Sequence, residues 1–319
     1  MRAPRRTTIA LAALGVLAST GSAVVGARNL FTLQANQARG VIPKIRDAPP
    51  RADGVYTPGG GEVQRWTRGV PVDLHLMIFG DSTATGLGCH TADEVPGVLI
   101  ARGLAEETGK RIRLSTKAIV GATSKGLSGQ VDAMFVAGPP PDAAVVMVGA
   151  NDITVLNGIG PSARRLGKAV RRLRDSGAVV VVGTCPDFGV IFAIPQPLRW
   201  VARSRGLRLA RAQAAAVRAG GGVPVPLADL LAPEFLQAPE RLISEDHYHP
   251  SAAGYALAAQ LLLPPLCQAL GEWTGGPMPD QPLVSRAAEA RTLRARLQRL
   301  THMWRRTTGV PAPVVVPAN

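Results

Sequence analysis

Cysteine, aromatic residues and acidic residues are all scarce in this chain of 319 residues. The three cysteines, Cys89, Cys185 and Cys267, are too few for a disulfide scaffold, and none lies in the C-x-x-C pair typical of zinc or redox centres. One disulfide with one free thiol is compatible with this number. The sequence therefore excludes a fold held together by several disulfides and gives no sign of a cysteine-based metal site.

The shortage of acidic residues leaves the chain strongly basic. Asp and Glu total 22 against 36 Lys and Arg, which gives a formal net charge of +14. Such a charge is compatible with nucleic acid, anionic lipid or an acidic polymer as a partner, and it selects none of them. The richness in Arg, Ala, Gly and Pro is typical of a GC-rich genome. With 46% apolar residues, the chain can bury one or two sizeable cores, which excludes a wholly disordered protein.

Residues 1–30 resemble a targeting segment. A positively charged start, Met1–Arg6, is followed by 21 uncharged residues that end before Arg28. This pattern is typical of a signal peptide or of a membrane anchor, because the segment is just long enough to cross a bilayer. No clear A-x-A cleavage site ends it, which favours retention as an anchor. We therefore expect an exported protein that is membrane-anchored or held in the cell envelope, with secretion as the alternative.

Composition divides the rest of the chain into three parts. Residues 31–70 are rich in Pro, Gly and charge, which predicts a linker. Residues 71–271 alternate apolar runs with helical patterns, as α/β domains do. Residues 272–319 begin as a Pro/Gly linker, continue as an Arg-rich amphipathic helix over Val284–Arg306 and end in a tail. That helix would either lie on anionic lipid or dock its Leu and Trp side chains on the domain.

Five strands and four helices are predicted within the α/β domain. The run of four valines at 179–182 is typical of a parallel strand that is buried on both faces. The predicted strands are Val72–Phe79, Ile112–Ile119, Ala143–Val148, Ala178–Gly183 and Val223–Leu227, and the predicted helices are Pro96–Thr108, Ser162–Asp175, Leu198–Ala219 and Ser251–Leu270.

Three of these strands run directly into segments that could contribute to a site. The first strand runs into Gly80-Asp81-Ser82, the second into Val120-Gly121-Ala122, and the third into Gly149-Ala150-Asn151-Asp152. Open α/β sheets place their sites at the carboxyl ends of strands, so these residues are expected to meet. A serine in such a turn is a candidate nucleophile.

A serine nucleophile needs a base, an acid that orients the base, and donors for the oxyanion. Asp246 and His249, three residues apart in the run Asp246-His247-Tyr248-His249-Pro250, are candidates for the orienting acid and the base. The Asn151 amide and the backbone N–H groups of Ser82 and Gly121 are candidates for the oxyanion hole.

With these four blocks in this order, the region from Val72 to Leu270 resembles the SGNH, or GDSL, hydrolase superfamily. Its N-terminal segment makes it similar to exported or membrane-tethered actinobacterial esterases of that family. The resemblance implies a three-layer α/β/α, flavodoxin-like domain with a mostly parallel five-stranded sheet. It also implies hydrolysis of carboxylic esters through an acyl-serine, with no metal and no other cofactor.

In this reading Ser82, Asp246 and His249 are catalytic, and Ser82, Gly121 and Asn151 form the oxyanion hole. Asp81 and Asp152 are supporting residues. The sequence departs from the family pattern at Thr83, where Leu is expected, and at Thr116, where many members carry Asn. Thr83 should change only the packing around it, and Thr116 should change a hydrogen bond within a loop.

The expected substrate is a small-molecule, lipid or glycan ester, with no nucleic acid as partner. Aromatic residues make up 4% of the chain, which offers no sign of a long acyl groove and favours short acyl groups. An O-deacetylase or acyltransferase acting on envelope glycans or lipids would use the same residues. A non-enzymatic protein that binds anionic surfaces is a weaker alternative, as is a metal site formed by Asp246, His247 and His249. An α/β-hydrolase is excluded because the G-x-S-x-G elbow lacks its second glycine.

Overall fold

The computed structural model describes residues 25–42, 48–273 and 275. Most of the predicted targeting segment, up to residue 24, and the predicted Arg-rich helix at 284–306 lie outside the described residues. The boundaries predicted for those parts are therefore still predictions.

A six-stranded sheet with the order β1-β3-β2-β4-β5-β6 forms the centre of the fold. All neighbouring strands pair in parallel except β1, which runs antiparallel to β3 at the edge. The strands are β1 (Gly54–Tyr56), β2 (Leu74–Gly80), β3 (Ile112–Thr116), β4 (Ala143–Met147), β5 (Val179–Gly183) and β6 (Val223–Val225).

The prediction of five strands is wrong by one, because β1 was placed in the linker. This strand has only three residues, too few to show the alternation by which a strand is recognised in a sequence. It is fixed by its antiparallel pairing with β3, in which Tyr56 lies opposite Ile112, and by the burial of Tyr56, which donates its hydroxyl hydrogen to Ala52 O at 2.6 Å. The segment 31–70 is therefore not a linker throughout, since part of it completes the sheet.

Helices cover both faces of the sheet. All four predicted helices are present, with ends within three residues of those predicted. Six other helices among the described residues were not predicted, and one of them, α1, covers residues 25–41 and so part of the predicted linker. The helices are α1 (residues 25–41), α2 (Ser82–Thr85), α3 (Pro96–Thr108), α4 (Leu127–Ala137), α5 (Ala150–Thr154), α6 (Ile159–Asp175), α7 (Leu198–Ala219), α8 (Leu227–Gln237), α9 (Pro239–Leu242) and α10 (Ala252–Leu270).

Alternation along β2 divides the core into two layers. Leu76 and Ile78 pack with α3 and α10 on one face, whereas Met77 and Phe79 pack with α4, α6 and α7 on the other. All four side chains are at most 2% exposed. This arrangement confirms the predicted α/β/α fold with a mostly parallel sheet.

Helix α10 is, among the described residues, the one helix long and apolar enough to cross a membrane. Its residues Leu262 and Leu266 are fully buried in the core cluster that includes α3. The length and composition of α10 are thus explained by its packing in the domain core.

Candidate active site

The turn after β2 brings Ser82 to the carboxyl edge of the sheet. Gly80 has a φ of 138°, and a Cβ there would lie 1.8 Å from Met147 O, so only glycine fits this crossing of β2 and β4. The side chain of Gln130 on α4 accepts from Gly80 N–H at 2.9 Å and donates to Gly80 O at 2.8 Å. The strand end that carries Ser82 is therefore fixed through both of its backbone polar groups.

Ser82, His249 and Asp246 form a continuous hydrogen-bonded chain. Ser82 Oγ lies 2.9 Å from His249 Nε2, and His249 Nδ1 lies 2.6 Å from Asp246 Oδ2. Because an ionised carboxylate only accepts, Nδ1 carries the hydrogen and Nε2 accepts from the serine hydroxyl. This is the arrangement in which an imidazole can remove the proton from a serine.

Asp246 is held ionised by the turn in which it lies. Burial alone would raise the pKa of Asp246, but hydrogen bonds from His249, Ser244 and Tyr248 outweigh it and hold the pKa well below the usual range. Its Oδ1 accepts from Ser244 Oγ at 2.7 Å and from the backbone N–H groups of Tyr248 and His249, both at 2.8 Å. His247 turns outward with a positive φ of 59° and is exposed.

The loop after β3 and the start of α5 meet beside this chain. Asn151 Nδ2 donates to Ala122 O at 3.0 Å, and an amide nitrogen has a second hydrogen to donate. Gly121, next to Ala122, has a φ of 80°, and a Cβ built on it would meet nothing within 4 Å. Within the described part of the chain, the backbone N–H groups of Gly121 and Ser82 have no acceptor. These donors are available to a bound oxyanion.

Asp152 also connects the start of α5 to the loop after β3. Its side chain is 1% exposed and accepts four hydrogen bonds, which come from Ser124 N, Ser124 Oγ, Asn157 Nδ2 and Ser162 Oγ, at 2.7–2.9 Å. With Asn151 bonded to Ala122 and Asp152 to Ser124, α5 fixes the loop that carries Gly121 on both sides.

Asp81 caps the helix that begins with Ser82. It accepts from Thr83 N at 3.0 Å and from Gly149 N at 3.3 Å, so it links the ends of β2 and β4. Complete burial raises the pKa of Asp81 to about 6, although the bonds from Thr83 and Gly149 act in the opposite direction.

An apolar cavity of about 90 Å³ begins beside His249. Asp81 and Thr83, the two neighbours of Ser82 in the chain, also border it. It is lined mainly by aliphatic and aromatic side chains, many of them from the segment after β5 and from α8, among them Phe188, Ile191, Leu231 and Phe235.

The described residues do not form the metal site that the sequence leaves as an alternative at Asp246, His247 and His249. Both ring nitrogens of His249 are used within the Ser82–His249–Asp246 chain, and the described residues contain no group of three or more His, Cys, Asp or Glu side chains that could hold a metal ion. All three cysteines are free thiols. Burial raises the pKa of Cys89 to about 12, so its thiol stays protonated at neutral pH.

Three contributors to the site were missed from the sequence. Ser244 donates a hydrogen bond to Asp246, and Gln130 bonds both the N–H and the C=O of Gly80. Gln213 on α7 donates to Val148 O at 2.8 Å and accepts from Cys185 N at 2.7 Å, which ties the ends of β4 and β5 together. A polar residue within an otherwise apolar helical face is the signal that could have identified the two glutamines.

Comparison with known proteins gives a consistent result. Residues 78–257 match the model of the GDSL-like Lipase/Acylhydrolase family. The chain is 73% identical over 279 residues to the GDSL-like esterase Rv1075c of Mycobacterium tuberculosis, covering 88% of this chain and 89% of that protein. Solved structures include a lipase/acylhydrolase from Enterococcus faecalis, at 20% identity and a TM-score of 0.49 over 65% of this chain and all of that one. Another is the psychrotrophic esterase EstA from Pseudoalteromonas, at 17% identity and a TM-score of 0.48 over 63% and 98% of the two chains.

Proposed function

This chain belongs to the GDSL-like lipase/acylhydrolase family and is a carboxylic ester hydrolase, and we propose that Ser82 is its nucleophile, His249 its base and Asp246 the residue that orients the base. The observation that carries the proposal is the chain of short hydrogen bonds, 2.9 Å from Ser82 Oγ to His249 Nε2 and 2.6 Å from His249 Nδ1 to Asp246 Oδ2.

In the first step Ser82 Oγ attacks the acyl carbonyl carbon while its proton moves to His249 Nε2. The imidazolium that forms is stabilised by the ionised Asp246. The bond between the acyl carbon and the leaving oxygen then breaks, His249 gives its proton to that oxygen, and the alcohol departs while the acyl group stays bonded to Ser82 Oγ. In the second step His249 removes a proton from water, the hydroxide attacks the acyl carbon, and the carboxylic acid leaves as Ser82 regains its proton.

The negative charge on the carbonyl oxygen requires donors that are already in place. We assign this role to the backbone N–H groups of Ser82 and Gly121 and to the second N–H of the Asn151 amide. The first two have no acceptor in the described part of the chain, and the amide is oriented by its bond to Ala122 O. Donors that need no reorganisation stabilise the transition state more than the ground state.

The cavity beside His249 supports a preference for short acyl groups. Pockets that hold drug-sized ligands measure roughly 300–1,000 Å³, whereas this cavity measures about 90 Å³. An acetyl to butyryl group fits a space of this size, and a long chain would have to extend into solvent. The apolar lining favours an alkyl group over a charged or hydroxylated one.

Export and retention at the membrane or cell envelope form part of the same proposal. The support lies in the sequence, where the positive start and the 21 uncharged residues precede the domain.

The test is hydrolysis of p-nitrophenyl esters from acetate to palmitate by the parent protein, by Ser82→Ala and by Ser128→Ala. Ser128 is an exposed serine on α4 and serves as the matched control. We expect Ser82→Ala to lower kcat by more than about 10³-fold, with Ser128→Ala unchanged and kcat/KM highest for the short esters. Equal activity in Ser82→Ala and the parent would refute the assignment of the nucleophile, and a maximum at palmitate would refute the assignment of the cavity.

A further inference from the structure

A second cleft lies against the sheet edge, apart from the cavity beside His249. Its volume is about 810 Å³, and none of the residues that line it borders the first cavity. One wall is β3 and the other is the segment from Pro49 to Trp66, which contains β1. This size is in the range of small-molecule sites.

Arg113 is the central charged residue of this cleft. It lies on β3 opposite Val55 of β1, and Val55 also pairs with Gln64 on its other side. This pairing brings Trp66 over Arg113, whose guanidinium carbon lies 3.4 Å from the centre of the Trp66 ring. The ring covers one face of the guanidinium and restricts its motion.

No carboxylate neutralises this arginine directly. Within residues 25–42, 48–273 and 275, Arg113 forms no salt bridge, whereas Arg111 on the same strand pairs with Asp73 at 3.0 Å. Partial burial lowers the pKa of Arg113, because the charge has lost part of its hydration. A half-buried guanidinium whose donors have no acceptor among the described residues favours an oxygen-rich anion as ligand.

The other charged side chains of the cleft also favour an anion as ligand. Arg51 and Arg65 also line it, and neither forms an ion pair among the described residues. The carboxylate that lines the cleft, Asp53, accepts from Thr116 N–H at 2.8 Å and so supports the end of β3. Three arginines against one carboxylate leave an excess of two positive charges, which suits a dianion better than a monocarboxylate.

We propose that the cleft formed by Arg51, Arg65, Trp66 and Arg113 binds a phosphate-type dianion, either as free phosphate or as a phosphate monoester group. The planar fork of Arg113 binds two oxygens of the anion, and the two exposed arginines supply the remaining charge. Thr85 lines the same cleft and donates its hydroxyl hydrogen to Ser82 O at 2.9 Å. The cleft therefore reaches the helix that begins with Ser82, and Thr83 of the same helix borders the cavity beside His249.

The first test is calorimetric titration of the full-length protein with inorganic phosphate at constant ionic strength. We expect saturable binding that Arg113→Gln weakens at least about tenfold, the value of one charge-assisted hydrogen bond. Arg65→Ala, at an exposed position, should weaken it several-fold and serves if Arg113→Gln fails to fold. Arg211→Gln is the matched control and should bind like the parent, because Arg211 is an exposed arginine on α7 that has no ion pair among the described residues. Ser82→Ala should also bind like the parent, which separates this site from the proposed catalytic one.

A second arm identifies the source of the phosphate group. The same proteins are sedimented with phosphatidylcholine vesicles with and without phosphatidic acid. A loss of sedimentation specific to Arg113→Gln and Arg65→Ala indicates a lipid headgroup, and unchanged sedimentation with weakened calorimetric binding indicates a soluble phosphate. Absence of saturable phosphate binding in the parent, or equal binding by the parent and both cleft variants, would overturn the proposal.

Discussion

Replacing Asp152 by Asn tests whether the loop carrying Gly121 is held in place by a buried carboxylate. The change is almost isosteric, but it replaces one of two acceptor oxygens with a donor. Oδ1 of Asp152 accepts from Ser124 Oγ, Asn157 and Ser162, and Oδ2 accepts from the Ser124 backbone N–H. In the variant the new NH₂ group must face at least one of these donors.

The size of the effect follows from these four bonds. The Ser124 N–H would be left buried without an acceptor, which costs about 1–3 kcal/mol, and the three bonds to Oδ1 would change from charge-assisted to neutral, at about 1 kcal/mol each. Removing a buried charge offsets part of this loss. We expect a net destabilisation of about 2–4 kcal/mol, which lowers Tm by roughly 5–12 °C for a domain of this size. Because the Gly121 N–H would shift, kcat should fall by about 10- to 10²-fold.

The assay combines thermal unfolding with steady-state hydrolysis of a short p-nitrophenyl ester well below the variant's Tm. Asp132→Asn is the matched control, since Asp132 is exposed and forms a surface ion pair with Arg172 at 2.7 Å, which is worth at most about 1 kcal/mol. An Asp152→Asn protein with the parent's Tm and kcat would refute the argument. A lower Tm with unchanged kcat would limit Asp152 to a role in stability.

Three further predictions concern the same site. Asn151→Ala should lower kcat by about 10²–10³-fold with a smaller change in KM, because an oxyanion donor acts mainly in the transition state; a loss below about threefold in steady-state kinetics would contradict that role. Gln130→Leu should lower the free energy of unfolding in urea by about 1–3 kcal/mol, since the buried Gly80 N–H would lose its acceptor while Gly80 O keeps the bond from Ile119 N–H at 3.1 Å; a change within error would show that water replaces the amide. Asp81 has a pKa raised to about 6, so the native state binds more protons than the unfolded state between about pH 4 and 6, and ionisation of Asp81 lowers stability as pH rises through that window. The free energy of unfolding of the parent, relative to that of Asp81→Asn, should therefore fall between about pH 4 and 6 when both are measured by denaturation at several pH values. A difference that stays constant would contradict the raised pKa.

The central strands and long helices could be predicted because their signals are local. The valine run of β5 is typical of a strand that is buried on both faces of a sheet, and Pro96 at the first turn and Gly109 after the last turn mark the two ends of α3. The edge strand β1 could not be predicted, since Gly54–Tyr56 is fixed by its pairing with β3 and by the burial of Tyr56. Such a strand is determined by contacts distant in sequence, which a local pattern does not contain.

The residues of the candidate site also include some that the sequence could predict and others that it could not. Ser82, Gly121, Asn151 and the Asp246–His249 turn stand at strand ends or in a short motif, so their order in the chain indicates that they meet. The residues that fix their positions give no such signal, because Gln130 and Gln213 lie within helices and outside those motifs. Their roles follow from helix packing, which brings each amide to the backbone at a strand end.

The adjacency of Asn151 and Asp152 then has a physical reason. Successive residues on a helix point about 100° apart, so the first side chain of this pair can face the open site while the second faces the protein interior. Asn151 is half-buried and reaches Ala122 O, whereas Asp152 is fully buried and reaches both donors of Ser124. Two neighbouring residues on α5 thus hold the loop at two points, two residues apart, and direct the Gly121 N–H without contacting it. Lengthening this helix by one residue between Asn151 and Asp152 would rotate the two groups apart, and the loop would lose one of its two attachments.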